Sequence, residues 1–420
     1  MAGINMRVLP ESTDPDHAFY YIDISSISGH GQITIPEERT IFATSPSRAR
    51  RLAPPGSVIV STVRTYLRAV AAVPETDKPL VFSTGFAVLE AAKDIDARFL
   101  SYLCQSNTFI DDVVARSTGV SYPAINAGDI GSINVSIPRR AEQFLIANFL
   151  DVNTTHIASL MQKRLKQRAA LADRAYAEIS DVLLSAPSPQ TTAKSSWPWL
   201  RDHPGKGPLV RLGYVCRLQN GLTIDSKRDV SGEPVTRPYL RVANVQAGYI
   251  DLSTVAAVTV PREVANRCTL RTGDVLMTEG GDLDKLGRGT VWNGELADCL
   301  HQNHVFALRP DRDRLDGEYL ALMTQTIHGR CYFESTGSKT TNLASTNSSK
   351  ILSFPIPLPS VRHQRELTRS VHTKLDAIKR MKQKLDRQIA LLAERRQALI
   401  TAAVTGQIDA STASRRGIEN

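Results

Sequence analysis

An internal duplication is the feature that most constrains the fold of this chain of 420 residues. Short segments of the first half recur in the second half, in the same order and about 220 residues later. The turn glycine and apolar strand of 56–61 return at 273–278, and the run 99–103 returns at 319–323. A repeat of this kind indicates two similar globular domains, each with its own core.

Within each copy the pattern favours short strands mixed with helices. The runs 21–27 and 239–245 alternate apolar and polar side chains, as half-buried strands do. The apolar run 86–89 has its counterpart at 305–308. We therefore predict an α+β fold in which two similar α/β domains are separated by helices.

Each half closes with more than 40 residues that contain neither glycine nor proline, which predicts a long helix of roughly 65 Å. Pro138 and Pro359 stand at the two starts, where the missing N–H of proline costs nothing. Apolar residues recur at every seventh position of the second helix, the spacing of a coiled coil, and less strictly in the first. If the helices pair antiparallel, the chain has an approximate two-fold internal repeat. The residues assigned to helix pairing are Leu150, Ile157, Leu171, Val371, Ile378, Leu385, Leu392 and Leu399.

The boundaries predicted from these patterns place a stiff, proline-rich linker between the two halves. The segments in chain order are a first domain at 1–138, a first long helix at 139–186, the linker at 187–208, a second domain at 209–359, a second long helix at 360–406 and a C-terminal tail at 407–420.

The net charge of +9 is concentrated in the two predicted helices. The stretch 139–184 carries 7 basic and 5 acidic residues, and 361–406 carries 11 basic and 4 acidic residues. The rest of the chain is therefore neutral overall. The charge is compatible with nucleic acid as a partner, but it does not by itself mark the globular domains as DNA-binding.

Motifs of several protein classes are missing. No apolar run is long enough for a membrane helix, and the five scattered cysteines favour reduced thiols in a cytoplasm. The sequence lacks a phosphate-binding P-loop, a dinucleotide-binding G-x-G-x-x-G and the Asn/Asp-Pro-Pro-Tyr/Phe motif of adenine methyltransferases. His301 and His304 have no ligand partner at metal-binding spacing, so a core or strand-end role is expected for them. We expect no catalytic residue, no metal and no cofactor on this chain.

Several segments resemble the specificity subunits of type I restriction–modification systems, often called HsdS or S subunits. In the first half the similarity lies in 21–27, 61–68 and 117–126. In the second half it lies in 277–282 and 301–306, and the close of the second helix at 395–409 also matches. The ordered set covers about residues 18–410, which makes the resemblance specific although each segment alone is weak.

This resemblance implies a function and partners. Each domain would be a target-recognition domain that reads one short half of a split site in double-stranded DNA, and the helices would set the gap. The helices would also dock two methyltransferase subunits, which use S-adenosylmethionine, and restriction subunits with translocase and nuclease activity can join.

The second half departs from the first at its opening. Residues 209–223 precede the first repeated strand, and the first half has only about 19 residues there, which do not match. Either the start codon is misplaced or the first domain begins differently.

Loop residues that follow apolar strands are the candidates for DNA contact, because base edges and phosphates are bound by Arg, Lys, Asn, Ser, Thr and Tyr side chains. In the first domain they are Arg64, Thr65, Tyr66, Arg68, Ser121, Tyr122 and Asn126. In the second domain they are Lys285, Arg288, Lys339, Thr340, Thr341 and Asn342.

Three other functions stay open on the sequence. The chain could be an enzyme, such as a methyltransferase fused to a specificity protein, although the expected motifs are missing. It could be a structural adaptor whose basic helices bind an acidic protein. It could also serve a related system that only methylates DNA. A steep fall of DNA affinity with salt would separate the DNA-reading subunit from the adaptor.

Overall fold

The computed structural model describes residues 1–29, 31–184, 208–223, 232–281, 286–339 and 344–409, and of Lys339 it describes the backbone alone. The chain divides into two compact units, Met1–Lys166 with Leu385–Asn420, and Gln167–Lys384. Each unit holds one globular domain and parts of both long helices. The predicted linker lies outside the described residues apart from Pro208, and so does the predicted tail beyond residue 409.

The globular domain of the first unit mixes short strands with short helices. Its strands are β1 (Ala2–Ile4), β2 (Ala18–Ile22), β3 (Thr40–Ile41), β4 (Ala49–Arg51), β5 (Val58–Ser61), β6 (Val70–Ala72), β7 (Leu80–Ser83) and β8 (Phe86–Ala91). Its helices are α1 (Ala97–Gln105), α2 (Asn107–Arg116) and α3 (Ala127–Gly131), and the first long helix, α4 (Arg140–Leu184), follows them.

Strand β5 is central to an antiparallel sheet of order β1-β8-β5-β6. Val58 and Val60 pack with Leu100 of helix α1 in one apolar cluster. Ile59 lies in another cluster with Phe82, which belongs to the second sheet, of order β3-β2-β7-β4. Successive strand residues point to opposite faces, so a strand covered by helices on one face and by a sheet on the other needs a continuous apolar run.

The second unit is built from the same kinds of element. Its strands are β9 (Leu209–Arg211), β10 (Cys216–Gln219), β11 (Pro234–Leu240), β12 (Val245–Gln246), β13 (Tyr249–Ile250), β14 (Ala256–Pro261), β15 (Val275–Thr278), β16 (Gly280–Gly281), β17 (Gly289–Val291), β18 (Leu300–His301), β19 (Val305–Pro310), β20 (Ser338–Lys339), β21 (Ala344–Ser345) and β22 (Pro355–Pro357). Its helices are α5 (Arg262–Cys268), α6 (Gly317–Gln325), α7 (Ile327–Thr336) and α8 (Ser348–Leu352), and the second long helix, α9 (Val361–Val404), follows them.

The main sheet of the second unit repeats the strand order of the first, as β10-β19-β15-β17. Val275 and Met277 face helix α6, whereas Leu276 faces the other way, toward Trp292 and Leu240. Strand β11 pairs in parallel with β18, just as β2 pairs in parallel with β7. The predicted α+β fold with a repeated domain is therefore confirmed.

The strand order also accounts for the opening segment that had no match in the sequence. In the second domain β10 forms the edge of the main sheet, beside β19. In the first domain β1 takes this place, with Ala2 paired to Ala91 of β8. An edge strand is held by backbone hydrogen bonds, so two sequences without similarity can fill the same position.

Parts of the two long helices pack together within each unit. In the first unit Leu150 shares an apolar cluster with Ile400, and Leu160 lines a hollow of about 280 Å³ with Leu391. Residue numbers thus rise along α4 while they fall along α9, so these parts are antiparallel. In the second unit Leu183 of α4 lies in one cluster with Val371 of α9. No helix that the structure describes is apolar over a stretch long enough to cross a bilayer.

The residues assigned to helix pairing fall into two groups by exposure. Leu150, Ile157, Val371 and Ile378 are buried. The four others are partly buried, namely Leu171, Leu385, Leu392 and Leu399. The first halves of the two helices therefore hold the most deeply buried residues of this stripe.

Lowering the pH from 7 to 5 should destabilise the chain by about 2 kcal/mol through His328 alone. This histidine is fully buried in helix α7, where it stacks on Phe354 and hydrogen-bonds through Nε2 to the carbonyl oxygen of Pro355. Burial lowers its pKa to about 4. Below the ordinary histidine pKa near 6.5 the unfolded chain therefore takes up a proton that the folded chain does not. The free energy of unfolding thus decreases as the pH is lowered.

Urea unfolding of the wild type and of His328→Gln at both pH values measures this contribution. The variant should lose about 2 kcal/mol less than the wild type between pH 7 and pH 5. Burial also lowers the pKa of His301, so some pH dependence stays in the variant. His156→Gln, an exposed change on α4, is the matched control and should behave as the wild type. Equal losses in all three proteins would contradict the prediction.

Candidate nucleic-acid interface

The end of strand β5 leads into the first of two loops that carry the predicted DNA contacts. The Ser61 hydroxyl donates to the carbonyl oxygen of Val63 at 2.6 Å. The Thr62 hydroxyl donates to the carbonyl oxygen of Gly85 at 3.0 Å. The backbone is therefore held directly after the buried strand, and the loop extends from a rigid edge of the sheet.

We name residues 62–68 loop A. It contains a 3₁₀ turn, Thr65–Leu67, between Arg64 and Arg68, which have φ angles of 50° and 55°. A left-handed conformation costs a residue other than glycine roughly 1–2 kcal/mol. Such conformations persist where neighbouring contacts hold them, and they cluster at functional sites. The turn leaves the Tyr66 side chain exposed to solvent.

Residues 117–126, named loop B, pack directly on loop A. The backbone N–H of Arg64 donates to the carbonyl oxygen of Pro123 at 2.7 Å. The hydroxyls of Thr65 and Ser117 lie 2.9 Å apart and share a hydrogen bond. Thr65 is buried, so its hydroxyl joins the two loops and does not face solvent. The two loops thus present one surface, although about 50 residues separate them in the chain.

The tip of loop B carries the most exposed side chains of this surface. Gly119 has a φ of +106°, a conformation that favours glycine and turns the chain outward. Val120, Ser121 and Tyr122 after it are exposed. The Arg64 guanidinium lies over the Tyr122 ring, 4.9 Å from its centre. A guanidinium held by a cation–π contact is preorganised to donate to a guanine edge or a phosphate, and the ring and hydroxyl add stacking and phosphate contacts.

Two other predicted residues of the first domain are the last residues of the two loops. Arg68 is partly buried, and its guanidinium donates to the side-chain oxygen of Asn107 at the start of helix α2. Asn126 is exposed and precedes helix α3, where its side chain forms no capping hydrogen bond. The structure thus brings Arg64, Thr65, Tyr66, Ser121 and Tyr122 together and turns Arg68 inward.

The second domain pairs its corresponding loops in the same way. Residues 279–288, named loop C, follow strand β15 as loop A follows β5. Residues 337–346, named loop D, follow helix α7 as loop B follows α2. Strand β21 of loop D pairs with β16 of loop C and with β20. In the first domain the single bridges of Ala124 with Val63 and with Thr118 form the same arrangement.

Most of the second-domain candidates fall on parts of these loops that the structure does not describe. Lys285, Thr340, Thr341 and Asn342 lie outside the described residues, and Lys339 is described by its backbone in β20. Arg288 is partly buried, with its guanidinium 5.4 Å from the centre of the Tyr176 ring of α4. Arg288, like Arg68, therefore lies at the base of its loop.

The described residues contain no group of three or more His, Cys, Asp or Glu side chains placed to hold a metal ion. His301 is buried, and its Nδ1 contacts the carbonyl oxygen of Val305. His304 is exposed and pairs with the Glu279 carboxylate of loop C. This carboxylate lies 25 residues away in the chain, a separation that spacing rules do not detect. Sequence reasoning also missed Asn107, for which no local pattern gave a signal.

This chain is similar to known proteins over the region of loops A and B and over most of its length. Residues 49–168 match the family model described as type I restriction modification DNA specificity domain. This stretch contains loops A and B and the first part of helix α4. The Escherichia coli K12 protein named type I restriction enzyme EcoKI specificity subunit is 25% identical over 334 residues, which are 78% of this chain and 69% of that protein.

A Salmonella potsdam protein, named type I restriction enzyme StySPI specificity subunit, is 21% identical over 78% of this chain and 69% of its own length. A solved structure described as the structural basis of assembly and conformational transition of the type I R-M system superimposes with a TM-score of 0.64. It is 23% identical, covers 96% of this chain and 97% of its own, and shows that the fold is shared. Over most of its length the chain is therefore similar to type I restriction–modification specificity subunits, and residues 49–168 match the DNA specificity domain of that family.

Proposed function

We propose that this chain is the DNA-reading subunit of a type I restriction–modification complex and that its partners carry out the chemistry. The observation that supports this most is the repeat of one loop arrangement, A with B and C with D, in two like domains of one chain. Two similar readers suit a target in two parts. The first domain would read one half of the site, the second domain the other half, and the long helices would set the gap.

In the proposed complex, two methyltransferase subunits dock on the long helices and carry the S-adenosylmethionine. Exposed apolar side chains on α4 support a protein interface there, because Phe144, Leu145 and Val152 are 52%, 47% and 71% exposed. A translocating nuclease subunit would join in a system that restricts DNA, and a methylation-only system would use the same reading subunit. Since its partner is DNA, we propose that the protein acts in the cytoplasm.

A methylation map tests the proposal. The chain is co-expressed with its methyltransferase in a bacterium without adenine methylation, and the modified adenines are located by sequencing. We expect a split motif that appears only when both proteins are made. A stable complex without such a motif would refute DNA reading, and failure to form a complex would support the adaptor instead.

Replacing Arg64 by alanine should weaken binding to the methylation-defined target by about tenfold, because one guanidinium contact is lost. If Arg64 binds a phosphate, the slope of log affinity against log salt concentration should fall by about 0.9. If it binds a base edge, the slope should persist while selectivity drops in the first half-site. Fluorescence anisotropy with labelled duplexes at several salt concentrations measures both quantities.

Arg7→Ala is the matched control for this experiment. It removes the same charge from the same domain, but Arg7 is paired with Glu90 and belongs to neither loop. The control should bind DNA as the wild type does. Equal weakening in both variants would show a general effect of net charge and would remove the role given to Arg64.

A further inference from the structure

The turn between helices α1 and α2 in the first domain is held by the second long helix. The backbone N–H of Asn107 donates to the Thr401 hydroxyl at 2.9 Å. The Gln397 side-chain amide donates to the carbonyl oxygen of Gln105 at 2.6 Å, and Arg396 donates to the Gln105 side chain at 3.0 Å. Three side chains within two turns of α9 thus fix a turn that precedes them by almost 300 residues.

The same turn is bonded to loop A. The side-chain oxygen of Asn107 accepts from the guanidinium of Arg68. Arg68 ends the 3₁₀ turn Thr65–Leu67, and its backbone N–H donates to the carbonyl oxygen of Thr65 at 3.0 Å. Tyr66 is carried on this turn. A continuous set of hydrogen bonds therefore joins helix α9 to the loop that holds the exposed tyrosine.

The second domain repeats the helix contact with the other long helix. The backbone N–H of Ile327, at the start of α7, donates to the hydroxyl of Ser180 in α4 at 2.9 Å. Ser180 and Thr401 are equivalent positions in the duplicated chain. One turn before Ser180, Tyr176 contacts the guanidinium of Arg288 at the base of loop C. In both domains the hydroxyl comes from the long helix that follows the other domain in the chain.

These hydroxyls satisfy donors that a helix leaves open. The first backbone N–H groups of a helix have no partner within it. Ser106 caps α2 by accepting from Phe109, and the Thr401 hydroxyl supplies the acceptor for Asn107. The Thr401 hydroxyl also donates to the carbonyl oxygen of Gln397 in its own helix, which fixes its direction. Removal of this group frees the N–H of Asn107, the residue that holds Arg68.

We propose that Thr401 positions loop A. We propose also that Ser180, by fixing α7 against α4 beside the contact of Tyr176 with Arg288, positions the base of loop C. Each reading surface thus takes its orientation from the long helix that follows the other domain. The inference rests on the proposed DNA-reading function and adds a structural determinant of its selectivity.

Methylation maps of four variants of the co-expressed complex test the proposal. Thr401→Val keeps the shape and removes the hydroxyl, and we expect discrimination against wrong bases in the first half-site to fall by about five- to tenfold. Ser180→Ala should do the same in the second half-site alone. Thr401→Ser keeps the hydroxyl and should match the wild type. Thr405→Val is the matched control, because Thr405 directly follows α9 and its hydroxyl donates to the carbonyl oxygens of Thr401 and Ala402 in the last turn of that helix.

The readout separates positioning from stability, since a purely structural loss lowers methylation at all sites without changing base preference. The inference would be overturned if Thr401→Val left the base preference unchanged, or if it reduced the base preference equally in both half-sites. If the complex with Thr401→Val does not assemble, Ser180→Ala provides the test. A reduced base preference in the second half-site would support the inference, and an unchanged base preference there would contradict it. A wild-type complex that methylates no split motif would instead refute the proposed function.

Discussion

Replacing Arg309 by methionine is expected to destabilise the chain by about 3–5 kcal/mol, because it leaves a buried carboxylate without its cation. The Asp274 side chain is 2% exposed, and both its oxygens accept from the Arg309 guanidinium, at 2.9 and 2.8 Å. These hydrogen bonds raise the pKa of Arg309 above its ordinary value. One further donor to Asp274, the backbone N–H of Arg271, would stay in place in the variant and cannot neutralise the charge. Urea unfolding at pH 7 gives the free energy of unfolding.

The ion pair of Arg262 and Glu233 in the same domain supplies the matched control. It has the same bidentate form, but both side chains are exposed. Arg262→Met should therefore leave the melting temperature unchanged, because solvent screens exposed pairs. The double variant Asp274→Asn with Arg309→Met should recover most of the loss, since no buried charge is left. Equal stability of the two single variants would contradict the explanation.

Exchanging the first domain should replace one half of the DNA target completely and leave the other half as it is. The physical reason is that the clusters packed on both faces of β5 lie wholly within residues 1–138, so this domain carries its own core. The expected result is a methylated motif with the donor's first half, the original second half and the original gap. The map of modified adenines measures this directly.

The design must keep the contacts with the second long helix. A donor domain without a matching turn at 105–107 would lose its bonds to α9. A donor that lacks the side chain of Asn107 would lose the bond from that turn to Arg68 of loop A. Grafting residues 105–107 of this chain into the donor preserves them. The reciprocal exchange of the second domain is the control and should alter the other half alone. A chimera that rewrites both halves together would contradict the two-reader model.

The sequence by itself was sufficient to predict the repeated α+β architecture. Buried strands such as Val58–Ser61 are specified by short continuous apolar runs, and helices such as Val361–Val404 by apolar residues with a period near three and a half. The duplication and the family segments follow from the same local information. These patterns involve residues close together in the chain, so they remain visible even where the two copies share few identical residues.

Only the tertiary structure decided which side chains meet. Arg64 and Arg68 stand four residues apart in one loop, yet Arg64 lies over Tyr122 while Arg68 points inward to Asn107. The contact of Asn107 with Thr401 joins residues that are 294 positions apart. Such contacts depend on backbone conformations that local propensity does not specify, here two left-handed residues held by a neighbouring loop, and on the packing of distant helices. The sequence could therefore predict the domains and their candidate loops, while the direction of each side chain was set by long-range packing.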